Sequence, residues 1–187
     1  MSNKIQRFNK SASAESSKPD EILRILDLKP GMNVLEIGVG GGYFNMRIAE
    51  RVGKSGVVYG VDADPAFIEN LRSLNKQNQN DNIRPILFKS VQDVLALGQI
   101  VDLVFTRNAY HHLHNRVEYF KSIAPILKPG CTIAILDHSE YPFNMIRLMG
   151  HFTEKKIIVE EQEKAGNVLV RDVEIFKKQN FLLFRKP

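Results

Sequence analysis

The 187-residue sequence predicts an α/β fold: a doubly wound, mostly parallel seven-stranded sheet that ends in an antiparallel carboxyl-terminal hairpin. Three observations predict it. Short apolar runs alternate with amphipathic helical stripes, and strand–helix alternation requires crossovers that leave the strands parallel. Residues 33–44 pass from an apolar run (Val34, Leu35, Ile37) through four glycines within five residues into a helical stripe (Phe44, Ile48, Val52). Two β-type segments follow each other directly at the end, residues 168–176 and 181–184, joined by Lys177-Lys178-Gln179-Asn180.

In chain order, residues 1–17 are polar and serine-rich, with Ile5 and Phe8 the large apolar side chains. They read as a flexible segment ahead of a single domain over 18–187. Pro19 suits a first helical position, and Ile22, Leu23 and Leu26 line a short helix that ends near Leu28. Lys29-Pro30-Gly31 turns the chain into the glycine strand. A second buried strand over 57–61 ends at Asp62; Asp64 then caps a helix with Pro65 at its first position and Phe67, Ile68, Leu71 and Leu74 on one face. After a polar loop at 75–82 comes a strand at 83–88, which Pro85 assigns to a sheet edge. Residues 101–105 form a fourth strand, and Asn115 with Glu118 has capping-box spacing for a helix lined by Val117, Phe120, Ile123 and Leu127. Lys128-Pro129-Gly130 breaks that helix before a fifth strand at 132–136. A last helix over 154–165, with Gly166 as its cap, precedes the hairpin.

Composition narrows the function classes. Apolar content of 43% and charged content of 25% are those of a globular protein, and no apolar run reaches the length of a membrane span. The amino terminus lacks the apolar core of a secretion signal, and Cys131 stands alone, which excludes a disulfide framework and a cysteine-based zinc site. A cytoplasmic enzyme is the expectation. The net charge of +5 comes from scattered basic residues, so nucleic acid is a permitted partner and not the favoured one.

Strand, glycine turn and helix start together aim backbone N–H groups at a ligand that can lie against the main chain. The dinucleotide fingerprint G-x-G-x-x-G is broken, because Tyr43 occupies its third glycine position. What stands is Glu36-x-Gly38-x-Gly40-x-Gly42, continued by Tyr43-Phe44. This resembles motif I of the class I S-adenosylmethionine-dependent methyltransferases, and the order and spacing of elements resemble that family over residues 18–186. The resemblance implies a Rossmann-like methyltransferase fold, with S-adenosylmethionine as cofactor and S-adenosylhomocysteine as product. The site is then expected at the carboxyl ends of the strands, at the switch point beside the glycine strand.

It also implies roles for individual residues. Glu36, Gly38, Gly40, Gly42, Asp62, Ala63, Ser90 and Asn108 are the expected cofactor contacts. Asp62 can accept both ribose hydroxyls or merely shape a turn. Glu36 can meet the cofactor's ammonium group or pair with Arg47. The acid that the family commonly places after the third strand, for adenine, is missing: Lys89 or Ser90 stands there, and Asp93 comes late.

Residues 106–114, TRNAYHHLH, follow the fourth strand, where the family approaches the transferable methyl. His111 and Tyr110 are the candidate catalytic residues; a histidine there suits a general base, and it equally suits helix packing. The segment is not the N-P-P-Y/F of many enzymes that methylate nucleic-acid bases. Asp137 and His138 with His111 and His114 offer metal-type ligands, yet the carboxylate-rich pattern of metal-assisted methyltransferases is missing and no metal is expected. Residues 141–152 hold an apolar stripe suited to a wall over the substrate or to the core. The predicted activity is methyl transfer to an O, N, S or C nucleophile of a small molecule. The alternatives are an RNA or protein methyltransferase, and a non-catalytic cofactor-binding subunit.

Overall fold

A computed structural model of the protein describes residues 3–79, 81–98, 100–139 and 151–187. Its seven-stranded sheet is mixed, mostly parallel and antiparallel at the carboxyl-terminal strands, which is the predicted fold class. The chain divides into two compact units, Met1–Asp93 and Val94–Pro187.

In the first unit β1 (Asn33–Ile37), β2 (Val57–Asp62) and β3 (Ile83–Leu87) run parallel in the order β3-β2-β1, with Pro85 on the outer strand as expected. Helix α1 (Asn3–Ser13) comes first, then α2 (Pro19–Ile25), α3 (Tyr43–Val52) and α4 (Pro65–Gln77). Phe44, Ile48 and Val52 are buried on α3, the four-residue repeat read from the sequence. On α4 the Asp64 carboxylate accepts the Ala66 N–H at 2.9 Å, and Pro65 opens the helix. The helix runs on to Gln77, into the expected polar loop, and the Asn75 carboxamide donates to the Ile83 carbonyl beyond that loop at 3.3 Å.

The segment read from sequence as loose contains α1. Ile5 and Ala12 are buried on it, the Phe8 ring meets Phe67 edge-on at 5.1 Å, and Lys4 Nζ pairs with Asp64 at 2.6 Å. An 11-residue helix with so few apolar side chains is weak alone, so docking supplies its stability.

Gly60, on β2, shows how closely these layers approach. A Cβ there would stand 2.5 Å from Leu71 Cδ2, 2.8 Å from Asn45 Nδ2 and 2.9 Å from Val39 Cγ1. Gly60→Ala is therefore expected to destabilise the protein by about 1–3 kcal/mol, the usual cost of overpacking. A urea midpoint equal to that of the unchanged protein would contradict this packing.

In the second unit β4 (Val101–Arg107) and β5 (Leu127–His138) are parallel, while β6 (Val168–Asp172) and β7 (Gln179–Arg185) complete the order β4-β5-β7-β6 with antiparallel pairing. The hairpin is present, but Gln179 and Asn180 lie within β7 and not in its turn. β5 starts at Leu127, so Lys128-Pro129-Gly130 belongs to the strand; an irregular register between Val101 and Leu103 absorbs the proline. A four-residue helix, α5 (Gln92–Leu95), went unread in the sequence.

α6 (Arg116–Ile123) starts where the Asn115/Glu118 spacing places it, without the capping-box bond. Asn115 sits at φ 48° and makes no side-chain cap, and Glu118 pairs with Lys121 at 3.0 Å. α7 (Lys155–Lys164) buries Ile158 and Gln162, and Gly166 follows it at φ 88°, donating to the Glu163 carbonyl at 2.9 Å. Phe105, Tyr110, Phe120, Phe181 and Phe184 form the large-residue core of this unit. No helix among the described residues is long and apolar enough to cross a membrane.

Candidate functional site

In the first unit the glycine turn leaves β1 and is tied to the end of β2. The Gly38 N–H donates to the Val61 carbonyl at 2.8 Å, and the Gly40 N–H donates to Asp62 Oδ2 at 3.1 Å. Gly38, Gly40 and Gly42 have φ of 82°, 51° and 88°, so the alternating glycines mark three left-handed positions that other residues rarely adopt. Gly42 caps α3 with no side-chain hydrogen bond, which leaves the start of that helix suited to a ligand.

Asp62 is part-buried. Its Oδ1 accepts the Asp64 N–H at 2.9 Å while Oδ2 holds Gly40. Burial pushes its carboxyl above the ordinary range, against the backbone N–H bonds that pull the other way. An ionised carboxylate has about four lone-pair sites, so the backbone N–H groups of Gly40, Ala63 and Asp64 still leave room for a ribose hydroxyl. The two sequence readings of Asp62 are thus compatible: it shapes the turn and retains acceptor capacity. Ala63 beside it is exposed.

Glu36 is buried at 3% exposure and accepts a hydrogen bond from Asn45 Nδ2 at 2.9 Å. Arg47, the alternative partner read from the sequence, is engaged with Asp20 at 2.6 Å and with the Tyr43 hydroxyl at 2.8 Å. After β3, the Lys89 and Ser90 N–H groups both donate to Asp93 Oδ2, at 2.9 and 2.8 Å. The late acid therefore closes a local turn, and its charge is held by those N–H groups below the usual carboxylate range.

α1 adds contacts that sequence reasoning missed. A Cβ on Gly41 would stand 2.1 Å from Asn9 Oδ1, and one on Gly40 would stand 3.0 Å from Phe8 Cδ1. The helix thus lies directly against the glycine turn. The broken G-x-G-x-x-G spacing gave no hint of this.

In the second unit Asp137, at the end of β5, is fully buried and holds His111 twice. Its Oδ2 accepts the His111 backbone N–H at 3.1 Å, and its Oδ1 meets His111 Nδ1 at 2.7 Å. That fixes the ring and leaves Nε2 as the free chemical handle. The His112 and His151 rings lie 4.0 and 5.5 Å from His111 by centroid, and His138 lies at 6.0 Å. Burial and the neighbouring imidazoles His111 and His151 lower the His112 pKa, and burial chiefly lowers that of His138. His114, weighed with this group from sequence, is exposed and outside the cluster.

Tyr110, expected beside His111 in catalysis, is fully buried. Its hydroxyl donates to Glu161 Oε2 at 2.8 Å, and Arg116 clamps the same carboxylate with contacts of 2.7 and 2.8 Å. Burial drives its pKa far above the ordinary phenol value, so the hydroxyl is a structural donor. Asn108 stands at φ 53°, donates its N–H to the Leu136 carbonyl at 2.8 Å and accepts from Gln179 Nε2 at 2.6 Å. His151 and Gln179 were missed because each lies far along the chain from its partner. Most of the apolar stripe read at 141–152 lies outside the described residues.

The family model described as a methyltransferase domain matches residues 28–182, and the chain belongs to that family. A demethylmenaquinone methyltransferase of Bacillus cereus (strain ATCC 10987 / NRS 248) is 29% identical over 151 residues, which is 75% of this chain and 60% of the relative. The chain thus spans about three fifths of that relative's length. Among solved structures, an S-adenosylmethionine-dependent methyltransferase from Aquifex aeolicus is similar with a TM-score of 0.85 at 22% identity, covering 98% of this chain and 97% of that one. The fibrillarin of Aeropyrum pernix, solved with natively bound S-adenosylmethionine, is similar with a TM-score of 0.63 at 16% identity, covering 84% and 67%. At such identities these structures speak for the fold.

Proposed function

We propose that the protein transfers a methyl group from S-adenosylmethionine to a small-molecule acceptor, with residues 18–187 as the methyltransferase domain. The observation that carries this reading is the glycine turn: three left-handed glycines between β1 and α3, tethered to Asp62. The donor set fits the cofactor. Asp62 retains acceptor capacity for a ribose hydroxyl, the turn and the start of α3 offer a close main-chain surface, and buried Glu36 suits an ammonium group directly or through water. When bound, S-adenosylmethionine supplies a methyl made electrophilic by its sulfonium.

The chain's own work is then to bind, orient and exclude water. On the acceptor side the reading rests on His111. Its ring is locked by Asp137, so Nε2 is positioned to take a proton from an acceptor hydroxyl. Similarity to a demethylmenaquinone methyltransferase supports a small-molecule acceptor of the quinone class. Tyr110 has no part in this chemistry, since its hydroxyl is spent on Glu161.

The test is incubation with methyl-labelled S-adenosylmethionine and a panel of quinols, phenols, amines and thiols. Label in a small-molecule product, with S-adenosylhomocysteine formed in step, is expected. Label found only in added RNA or protein, or in nothing despite cofactor binding, would overturn the proposal.

A further inference from the structure

The second unit gathers more imidazoles than a single general base requires. His111, His112 and His151 each offer a ring nitrogen, and the three lie within 4.8 Å of one another. Two of them come from consecutive residues in a 3-10 turn over Tyr110–His112, and the third lies just before α7. The sequence suggested a different set, with His114 and no His151, and favoured no metal.

We infer that His111, His112 and His151 form a three-histidine site for a divalent transition-metal ion of the zinc type. The inference rests on the proposal that this cluster serves the methyl acceptor. Three arguments converge.

The first is ligand chemistry. Neutral imidazoles in a set of three are zinc ligands, and zinc bound by three protein groups keeps its fourth position open. Tetrahedral ligand nitrogens at about 2.0–2.1 Å from zinc stand a little over 3 Å apart. The present spacing therefore needs only a modest inward turn of the rings. His112 is exposed, which leaves its ring room to make that turn.

The second is the support behind the cluster. Metal-binding histidines characteristically give their other ring nitrogen to a carboxylate, which fixes the tautomer and raises ligand basicity. Asp137 does this for His111 at 2.7 Å, with side-chain exposures of 4% for the histidine and 0% for the aspartate. Nδ1 is thereby committed to Asp137, and Nε2 is the nitrogen available to an ion. Asp137 itself is tied again by the His111 backbone N–H, so the carboxylate cannot readily swing out to become a ligand.

The third is the alternative for these rings. Three crowded imidazoles, two pairs tilted and one edge-on with centroids 4.0, 5.5 and 5.2 Å apart, gain little as a packed core when one is exposed. A shared ion gives the crowding a purpose. Its open position would take an oxygen of the acceptor and make that hydroxyl more acidic, the proton passing to solvent. In the loaded protein, His111 is then a ligand and acceptor activation passes to the ion. This narrows the acceptor class to molecules with a hydroxyl or enol oxygen able to reach a cation.

The experiment is titration of the chelator-stripped protein with Co2+ and with Zn2+, followed by visible absorption for cobalt and by calorimetry for zinc. One ion per chain is expected, with the strong visible bands of tetrahedral cobalt. His112→Ala and His151→Ala should each weaken binding at least tenfold, and Asp137→Asn should weaken it about 10- to 100-fold through the outer shell. His111→Ala is avoided as the main test because it strands a buried carboxylate. Saturable binding that neither histidine substitution weakens, or no saturable binding at all, overturns the site. A parallel S-adenosylmethionine titration separates the two claims: cofactor binding without metal binding removes only the site, and metal binding without cofactor binding removes the methyltransferase reading.

Discussion

Asp62→Ala is expected to weaken S-adenosylmethionine binding by about 10- to 100-fold. Two losses combine. Hydrogen bonds from hydroxyls to a charged carboxylate are worth about 1.5–3 kcal/mol, and 1.4 kcal/mol is tenfold in affinity. The substitution also releases the Gly40 N–H, which Asp62 Oδ2 holds at 3.1 Å, so the turn loses the tether that fixes its shape. Asp62→Asn separates the two, since an amide oxygen can still accept from Gly40 but carries no charge. It should fall between alanine and the unchanged protein. The pH dependence has a definite sign. Burial raises the Asp62 pKa, so affinity should decline on acidification at a higher pH than an exposed aspartate would give. Calorimetry across pH checks both; an alanine variant with unchanged affinity would remove Asp62 from the site.

The second large effect is expected at His111. His111→Asn keeps an N–H donor near the place of Nδ1, for Asp137, and deletes Nε2. In the metal-free protein we expect kcat to fall by about 10²- to 10⁴-fold, the usual share of acid–base chemistry, while the cofactor dissociation constant stays within about twofold. Asp137→Asn should lower kcat by less, because it loosens the ring without removing it; Asp137 is a positioning residue. Label transfer measured at saturating cofactor reads kcat, and the calorimetric titration reads binding. Activity within about threefold of the unchanged protein in His111→Asn would place the acceptor chemistry elsewhere.

These effects divide along the line between what local sequence does and does not encode. The glycine turn was legible because its requirement is local: left-handed φ at alternate positions needs glycine, and a strand before and a helix after give it context. The Asp64–Pro65 helix start was legible for the same reason. Local spacing failed where tertiary contacts competed. Asn115 and Glu118 have capping-box spacing, yet Asn115 takes a left-handed conformation and Glu118 turns to Lys121. Lys128-Pro129-Gly130 looked like a break, and strand pairing drew it into β5.

The cluster around His111 and Asp137 was half legible. His111 and Asp137 each follow a strand, so their convergence was foreseeable, whereas the burial of Tyr110 was not. Its immediate neighbours are Ala109 and His111, and only the arrival of Glu161 and Arg116 makes the phenol structural. His151 and α1 escaped notice because their partners are remote: Asn9 lies against Gly41 and Lys4 pairs with Asp64. The sparse apolar content of the first residues concealed a helix that needs few such contacts once docked.

The most direct measurement is a calorimetric titration of the protein with S-adenosylmethionine, run beside NAD as a control. One binding event per chain with S-adenosylmethionine and none with NAD is expected, and cofactor at about a hundred times its dissociation constant should add about 2.7 kcal/mol to stability. No heat and no change in unfolding midpoint with S-adenosylmethionine, or equal binding of NAD, would contradict the claim that the turn from Gly38 to Gly42 is built for the methyl donor.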